Sequence, residues 1–502
     1  MVKNKMAMRY KEVLLFLLFS VLPVCIALSG LSSMTPWIDE VMFADSPMHY
    51  VNGAGWSTYS WYSIAGQEPF MLYPPLYSML LVPWMKTFGT TLLACRSINI
   101  AILLIIGVGM MRILRLLNQE LSAGRILLLA ILLWCPGDMI FMYSNGRPDL
   151  LGALLLVFIS GEMIVTAGSG KRGWSIAVLS ALLMGTSIQS AVCLAIILLL
   201  SYAVLAQYRP LIVRLSLLSA AGLAAGFVAD CAFMASHGHL TSFLVNILSY
   251  SGSAKAVASI VLSIINDCSG IDTSYFMGKL SKMGSESPLY LRLLSIFTRP
   301  VYASLLLADT MLMLIYIKSL KRKPGYVAVK HLSVLAVGIP LLMVLAGRFQ
   351  TYYFWMAYLP LFLLTVMLFR LAEYRWACMI IAFPLSLALA HDITKESTDN
   401  HYKEQEYFMR RCTMLRGKKI IAPFSVFYEA SRLSDRIYYL GIYPPRFLPS
   451  DIDYIILPER TADYGNDRIY KYLEDIGKTD SATIVLVAES KQPELKVYRI
   501  SK

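Results

Sequence analysis

The chain has 502 residues, of which 57% are hydrophobic and only 15% charged. A soluble protein of this length carries nearer a quarter charged residues, so a water-soluble enzyme is excluded. The net charge of +13 does not call for nucleic acid either: residues 392–502 hold 18 basic and 17 acidic side chains, so the excess sits in the short loops of the apolar part, where Lys and Arg set membrane orientation.

About 20 apolar residues cross a hydrocarbon core. On that measure the sequence predicts eleven spans, near 12–32, 94–114, 126–143, 149–167, 174–188, 190–206, 212–235, 297–317, 328–346, 352–369 and 376–391. The start, "MVKNKMAMRYKEVLLFLLFSVLPVCIALSG", resembles a signal peptide. Its apolar run is long enough to span and no convincing small-residue cleavage site follows, so it reads as an uncleaved first helix. Lys3, Lys5, Arg9 and Lys11 precede span one. Arg112, Arg115 and Arg125 fall between spans two and three, Lys171 and Arg172 after span four, and Arg209 and Arg214 after span six. "KSLKRKPGYVAVK" follows span eight, and Arg370 and Arg375 follow span ten. Eleven spans put all these clusters on one side, the cytoplasm by the positive-inside rule. The N-terminus is then cytoplasmic and the C-terminus exterior. Asp39, Glu40, Asp45 and Glu68 fall on the exterior side.

Residues 1–391 thus read as a transmembrane domain with two long exterior loops. The first, 33–93, contains "YSWYSIAG" and "PPLYSMLLVPWMKTFG", apolar segments too short to span and rich in aromatics, which favour the headgroup level. The second, 236–296, is rich in Ser and Gly and reads as a lid or a connector. Residues 392–502 read as a small exterior α/β domain. Its strands are "KKIIAPF", "IDYIILP", "ATIVLVAE" and "LKVYRIS", and its helices "SVFYEASRLSDRIYYL" and "NDRIYKYLEDIG". Most of the eight Cys lie in apolar runs, where Cys is a small hydrophobe. Only Cys268 and Cys412 fall in exterior segments, and no zinc spacing is present.

The most informative stretch is "PWIDEVMFAD", residues 36–45. An Asp–Glu pair is a common way to flank a helix end. Here it opens a series: "PWIDEVMFADSPMHYVNGAGW", then "EPFMLYPPLYSMLLVPWMKTFG", "ACRSINIAILLIIGVG" and "NGRPDLLGALLL", with "QTYYFWMAYLPLFLL" much later. In order and spacing this resembles the type C membrane glycosyltransferases, the superfamily that includes protein O-mannosyltransferases and aminoarabinose lipid A transferases. The resemblance is strongest over residues 1–160.

That resemblance implies a type C glycosyltransferase fold. It implies transfer of a hexosyl or pentosyl unit from a polyprenyl-phosphate sugar to a glycan, glycolipid or protein acceptor, on the outer face of a bacterial inner membrane. Asp39 matches the family's catalytic acid position and is expected to act as base toward the acceptor; Glu40 is expected to hold Asp39 or the acceptor. A leaving phosphate needs positive charge aimed at it. Arg96, Arg147 and Arg348 fall at exterior span ends, and Arg suits phosphate, although snorkelling to headgroups explains each one singly. Where many relatives have Lys, this chain has Tyr73 and Gln189, which become expected substrate contacts together with Tyr352 and Tyr353.

Other polar residues support rival readings. Asp309, Asp230 and Glu162 lie within spans, where acids are costly and often functional but also serve as helix–helix hydrogen bonds. A row of them would favour a transporter or lipid-linked sugar flippase, and they are scattered. A ligase or polymerase of lipid-linked oligosaccharides is a third class. His237 and His239, with Glu68, are possible metal ligands but read first as loop histidines. No metal site is expected, and a divalent metal requirement stays open.

Overall fold

A computed structural model describes residues 10–31, 35–58, 70–169, 173–249, 299–322, 325–345, 355–369, 401–434, 436–438, 452–458, 483–491 and 494–501, with the single positions 296 and 353. The described membrane part is helical: α1 (Tyr10–Leu31), α2 (Ile38–Val51), α3 (Leu76–Phe88), α4 (Leu92–Leu116), α5 (Ala123–Trp134), α6 (Gly137–Ser144), α7 (Asp149–Ser169), α8 (Trp174–Met184), α9 (Ile188–Val204), α10 (Arg209–Ser236), α11 (Leu240–Ser249), α12 (Pro300–Leu320), α13 (Tyr326–Leu345) and α14 (Trp355–Leu368). Among the described residues five helical segments are long and apolar enough to cross a membrane, and shorter apolar helices accompany them. In lipid every backbone N–H and C=O must be satisfied internally, which is why apolar runs of this length form helices. The protein is a multi-pass membrane protein.

Ten of the eleven expected spans meet helices. The third does not form one straight helix. It breaks after Trp134 into α5 and α6, which are bent by 66°. Pro136 supplies the reason: it has no N–H to continue α5, and it sits instead at the N-cap of α6. The eleventh expected span, 376–391, lies outside the described residues, as do 59–69 and 250–295 of the two long loops.

Burial separates the helices. Only 17% of the apolar window of α1 is buried by protein, against 67% for α4, so α1 is peripheral and α4 central. Every residue of α14 is buried. Helices α8 and α10 approach backbone to backbone. A Cβ at Gly222 would clash with the Ala177 carbonyl oxygen, and one at Gly226 with that of Ala181. Without a hydrophobic drive between helices in lipid, such small residues let backbones touch.

The C-terminal domain carries a helix α15 (His401–Arg411), a short helix α16 (Phe427–Ser431) and a five-stranded mixed sheet. Its strands are β1 (Ile420–Ile421), β2 (Ile437–Tyr438), β3 (Tyr454–Pro458), β4 (Thr483–Lys491) and β5 (Glu494–Ser501), in the order β2-β1-β3-β5-β4. β1 pairs parallel with β2 and β3, while β5 pairs antiparallel with β3 and β4. The four expected strands are present. The expected helix over 425–440 is not: it stops at Ser431, and the chain turns into β2. Ser434 drives that turn, since its hydroxyl donates to the Lys418 carbonyl and accepts from the Arg436 N–H, a local alternative to helical bonding. The expected helix near 466–477 lies outside the described residues.

Candidate active site

Asp39 and Glu40 occupy the first turn of α2, where the positive end of the helix dipole favours carboxylates. Glu40 Oε2 accepts the Trp37 N–H at 3.3 Å, which fixes the entry of the chain into the helix. The two neighbouring acids then meet opposite fates. Glu40 is fully buried, and Arg96 grips it with a fork: Nε to Oε1 at 2.7 Å and Nη2 to Oε2 at 2.8 Å. Asp39 keeps 29% of its side chain exposed and pairs with Arg147 Nη1.

Thr91 caps the N-terminus of α4, its hydroxyl accepting the Ala94 N–H, and Arg96 follows one turn later. Besides gripping Glu40, Arg96 donates from Nη1 to the Leu31 carbonyl (2.7 Å) and from Nη2 to the Thr35 carbonyl (3.3 Å). It thus ties the end of α1, the connection after it and the start of α2 into one knot. Sequence reasoning placed Arg96 at the donor phosphate. In the structure it is 1% exposed, and its Nε, Nη1 and Nη2 donate to Glu40, Leu31 and Thr35.

Arg147 lies in the "NGR" turn between α6 and α7. Its Nε donates to Asp149 Oδ2 at 2.6 Å, and its Cζ lies 4.7 Å from the centre of the Trp37 ring, within cation–π range. Asn99 on α4 donates to the carbonyls of Asn145 (2.5 Å) and Arg147 (3.2 Å) and so sets the turn. Tyr77 in turn donates to Asn99 Oδ1 at 3.4 Å. Burial above all, and the neighbouring Cys95, Glu40 and Asp149, push the Tyr77 phenol well above its ordinary range, which keeps it a neutral donor. Gly146 packs on the acid pair: a Cβ there would lie 3.2 Å from Glu40 Cγ. Asp149, Asn99, Tyr77 and Gly146 escaped sequence reasoning as individual residues. Their only signal was the strings that contain them: "NGRPD" for Gly146 and Asp149, "ACRSINI" for Asn99 and "PPLYS" for Tyr77.

Tyr73 and Gln189 come together from distant parts of the chain. Tyr73 donates to Gln189 Oε1 at 3.0 Å, and Ser187, which caps α9, donates to the same oxygen at 3.1 Å. Phe43, one turn beyond Asp39, packs edge-on against Tyr73 at 5.0 Å. Asp45, further along α2, accepts from Thr58 at 2.6 Å and lies 3.4 Å from His49 Nε2. Tyr353 is buried just before α14. Arg348 and Tyr352 lie outside the described residues. Arg299, which the sequence did not single out, binds Asp138 at 2.6 Å, and Tyr358 donates to the same carboxylate at 2.8 Å.

The remaining expected polar residues lie away from the acid pair or are engaged elsewhere in the bundle. Glu162 pairs with Arg112 at 2.8 Å and accepts from Ser175. Asp309 accepts from Thr365 at 2.7 Å, a bond between α12 and α14. Asp230 on α10 is buried against the turn at Gly185. His239 stacks on Phe70 at 4.3 Å, and His237 packs on Phe233 and Phe70; Glu68 lies outside the described residues.

Two solved structures share this architecture at low identity. ArnT from Cupriavidus metallidurans, bound to undecaprenyl phosphate, is 10% identical with a TM-score of 0.56, over 96% of this chain and 97% of that one. The archaeal oligosaccharyltransferase AglB from Archaeoglobus fulgidus, in complex with an inhibitory peptide and a dolichol-phosphate, is 11% identical with a TM-score of 0.51, over 89% of this chain and 69% of that one. The fold is that of the type C glycosyltransferases. No protein-family model and no curated sequence matches the chain. Because the ArnT match runs over nearly the whole of both chains, the type C likeness extends beyond the membrane helices to the small C-terminal domain.

Proposed function

We propose that the protein is a glycosyltransferase that moves one hexosyl or pentosyl unit from a polyprenyl-phosphate donor to a glycan, glycolipid or protein acceptor, on the outer face of a bacterial inner membrane. One observation carries this reading: within a type C fold, two adjacent carboxylates at one bundle end are treated oppositely, Glu40 sealed and Asp39 open. Among the described residues, Arg112 and Arg115 stand at the end of α4 away from Arg96, and the positive-inside rule applied to the sequence's basic clusters supports a non-cytoplasmic acid end. The C-terminal domain is exterior in the same scheme and takes part in acceptor recognition.

In the proposed reaction an acceptor hydroxyl or amine attacks the anomeric carbon. The bond from that carbon to the phosphate oxygen breaks with its electron pair on the phosphate, and polyprenyl phosphate leaves. Asp39 orients the nucleophile and takes its proton. Glu40 and Arg96 hold the first turn of α2 so that Asp39 stays aimed. Arg147 and Arg348 stabilise the departing phosphate; when the phosphate engages Arg147, Asp39 is released toward the acceptor. Tyr73 and Gln189, with Tyr352 and Tyr353, contact the sugar or phosphate. A neutral Tyr–Gln pair favours hydrogen bonding to hydroxyls over charge pairing, so the sugar is the more natural partner.

The test is transfer of label from a panel of polyprenyl-phosphate sugars in proteoliposomes. A new covalent labelled product is expected with the native protein and not with Asp39→Asn at equal folded yield. Retained transfer by Asp39→Asn removes that residue from the chemistry. Label that only crosses the bilayer would support a flippase instead.

A further inference from the structure

The C-terminal domain does not merely hang beside the membrane helices. Its turn Phe424–Val426 packs against α2, the helix that bears Asp39 and Glu40, and α15 packs behind that turn. Val426, Phe427, Tyr428 and Ala430 are all buried. Tyr428 is fully buried, and its hydroxyl lies beside the Cys95 thiol, immediately before Arg96 on α4. Among the described residues that hydroxyl makes no regular hydrogen bond. Glu40 and Arg96 are both close enough to act on the phenol electrostatically; burial first, then Cys95 and Glu40, push it well above its ordinary range while Arg96 opposes them. Glu429, the next residue, is buried and pairs with Arg432 at 2.9 Å.

We propose that the C-terminal domain is part of the candidate active site, with Tyr428 as the positioning residue that seals the Glu40–Arg96 pair against water. A forked ion pair holds its geometry best where water cannot compete for its donors. The pair is covered from the membrane side by α1, α4 and the "NGR" turn. On this proposal the domain adds a further wall, through the turn packed on α2 and the buried Tyr428 beside Cys95. Glu40 anchors the turn that carries Asp39, so anything that lifts Phe424–Ser431 from α2 loosens Asp39 as well. Acceptor binding to the C-terminal domain is thereby connected to the acid through a rigid contact.

The kinetic half of this inference rests on the proposed transfer reaction; the docking half does not. The experiment therefore reads both in the full-length protein. Cys95 modification by N-ethylmaleimide is quantified by peptide mass spectrometry in the native protein, Tyr428→Ala and Tyr428→Phe, beside hydrogen exchange of β3 and β5 and transfer kinetics. Cys95 is expected to be protected in the native protein and in Tyr428→Phe, and labelled in Tyr428→Ala, with β3 and β5 equally protected in all three. Turnover by Tyr428→Ala falls about 10- to 100-fold at unchanged KM for the donor lipid, and Tyr428→Phe restores it. Protection of Cys95 in folded Tyr428→Ala overturns the proposal, as does exposed Cys95 with unchanged turnover. If Cys95 becomes labelled as expected but the native protein transfers no sugar, the docking stands and the transferase reading fails.

Discussion

Helix α4 carries one arginine–carboxylate pair near its start and two near its end, Arg112–Glu162 and the more buried Arg115–Glu12; Arg96–Glu40 and Arg112–Glu162 differ in almost every physical respect. At one end Arg96 and Glu40 are 1% and 0% exposed and joined by two hydrogen bonds. Some 24 Å along the helix, Arg112 and Glu162 meet through one 2.8 Å contact while 41% and 24% exposed. The first pair has been taken out of water at a cost that only good geometry offsets. The second sits where solvent screens it. Burial alone does not mark the site, since Arg115–Glu12 at the far end is also largely buried; what sets the Arg96–Glu40 pair apart is its two-bond fork beside the partly open Asp39.

The strongest way to break this contrast is to remove the open acid beside the sealed one. Asp39→Asn keeps an acceptor for Arg147, so folded yield and thermal midpoint should hold while transfer drops about 10²- to 10⁴-fold. Purified protein with labelled donor lipid checks this, and a matching fall in thermal midpoint would point to structure instead. Next comes the sealed pair itself. Arg96→Ala leaves Glu40 buried without its fork and should cost about 3–5 kcal/mol in denaturant unfolding. Arg96→Met with Glu40→Gln should recover much of that stability but not transfer. Recovery of both would show that the pair is only packing.

A smaller effect is expected from Gly146→Ala. The added methyl would sit 3.2 Å from Glu40 Cγ and 3.3 Å from Oε1, so the carboxylate must shift by tenths of an ångström. A cost of about 1 kcal/mol in unfolding is expected, with a fall in turnover larger than that stability loss alone explains. Equal turnover would mean that the site tolerates movement of Glu40.

Much of this arrangement was legible in the sequence, and the reasons for what was not are local. Length of apolar run sets an apolar helix, so ten of the expected segments meet helices, five of which are long and apolar enough to cross a membrane by themselves. Run length says nothing of a bend inside a run, and the break at Pro136 needed the backbone. The acid pair stood out because charge is rare in this chain, as did Arg96 and Arg147. Their partners did not: which carboxylate each guanidinium meets depends on helix rotation and on a turn set by Asn99, and neither leaves a periodic trace. Tyr73 and Gln189 were read as separate losses of charge, and only the fold brings them to 3.0 Å. The strand at Ile437–Tyr438 was hidden because the apolar spacing before it also fits a helix. The docking of Tyr428 on Cys95 joins residues more than 300 positions apart and has no signal in one sequence.

The far end of α4 supplies the smallest prediction and the control for the others. Arg112→Ala removes a pair in which both groups are partly hydrated, so each recovers solvent when its partner goes. The expected cost is below about 1 kcal/mol, shrinking further with added salt, and turnover should be unchanged. Glu162 keeps the Ser175 hydroxyl as a donor at 3.0 Å, and α4 keeps its packing along α7. A large loss in unfolding free energy or in transfer would mean that burial does not separate the two pairs. The inference from the sealed pair to the location of the chemistry would then fail with it.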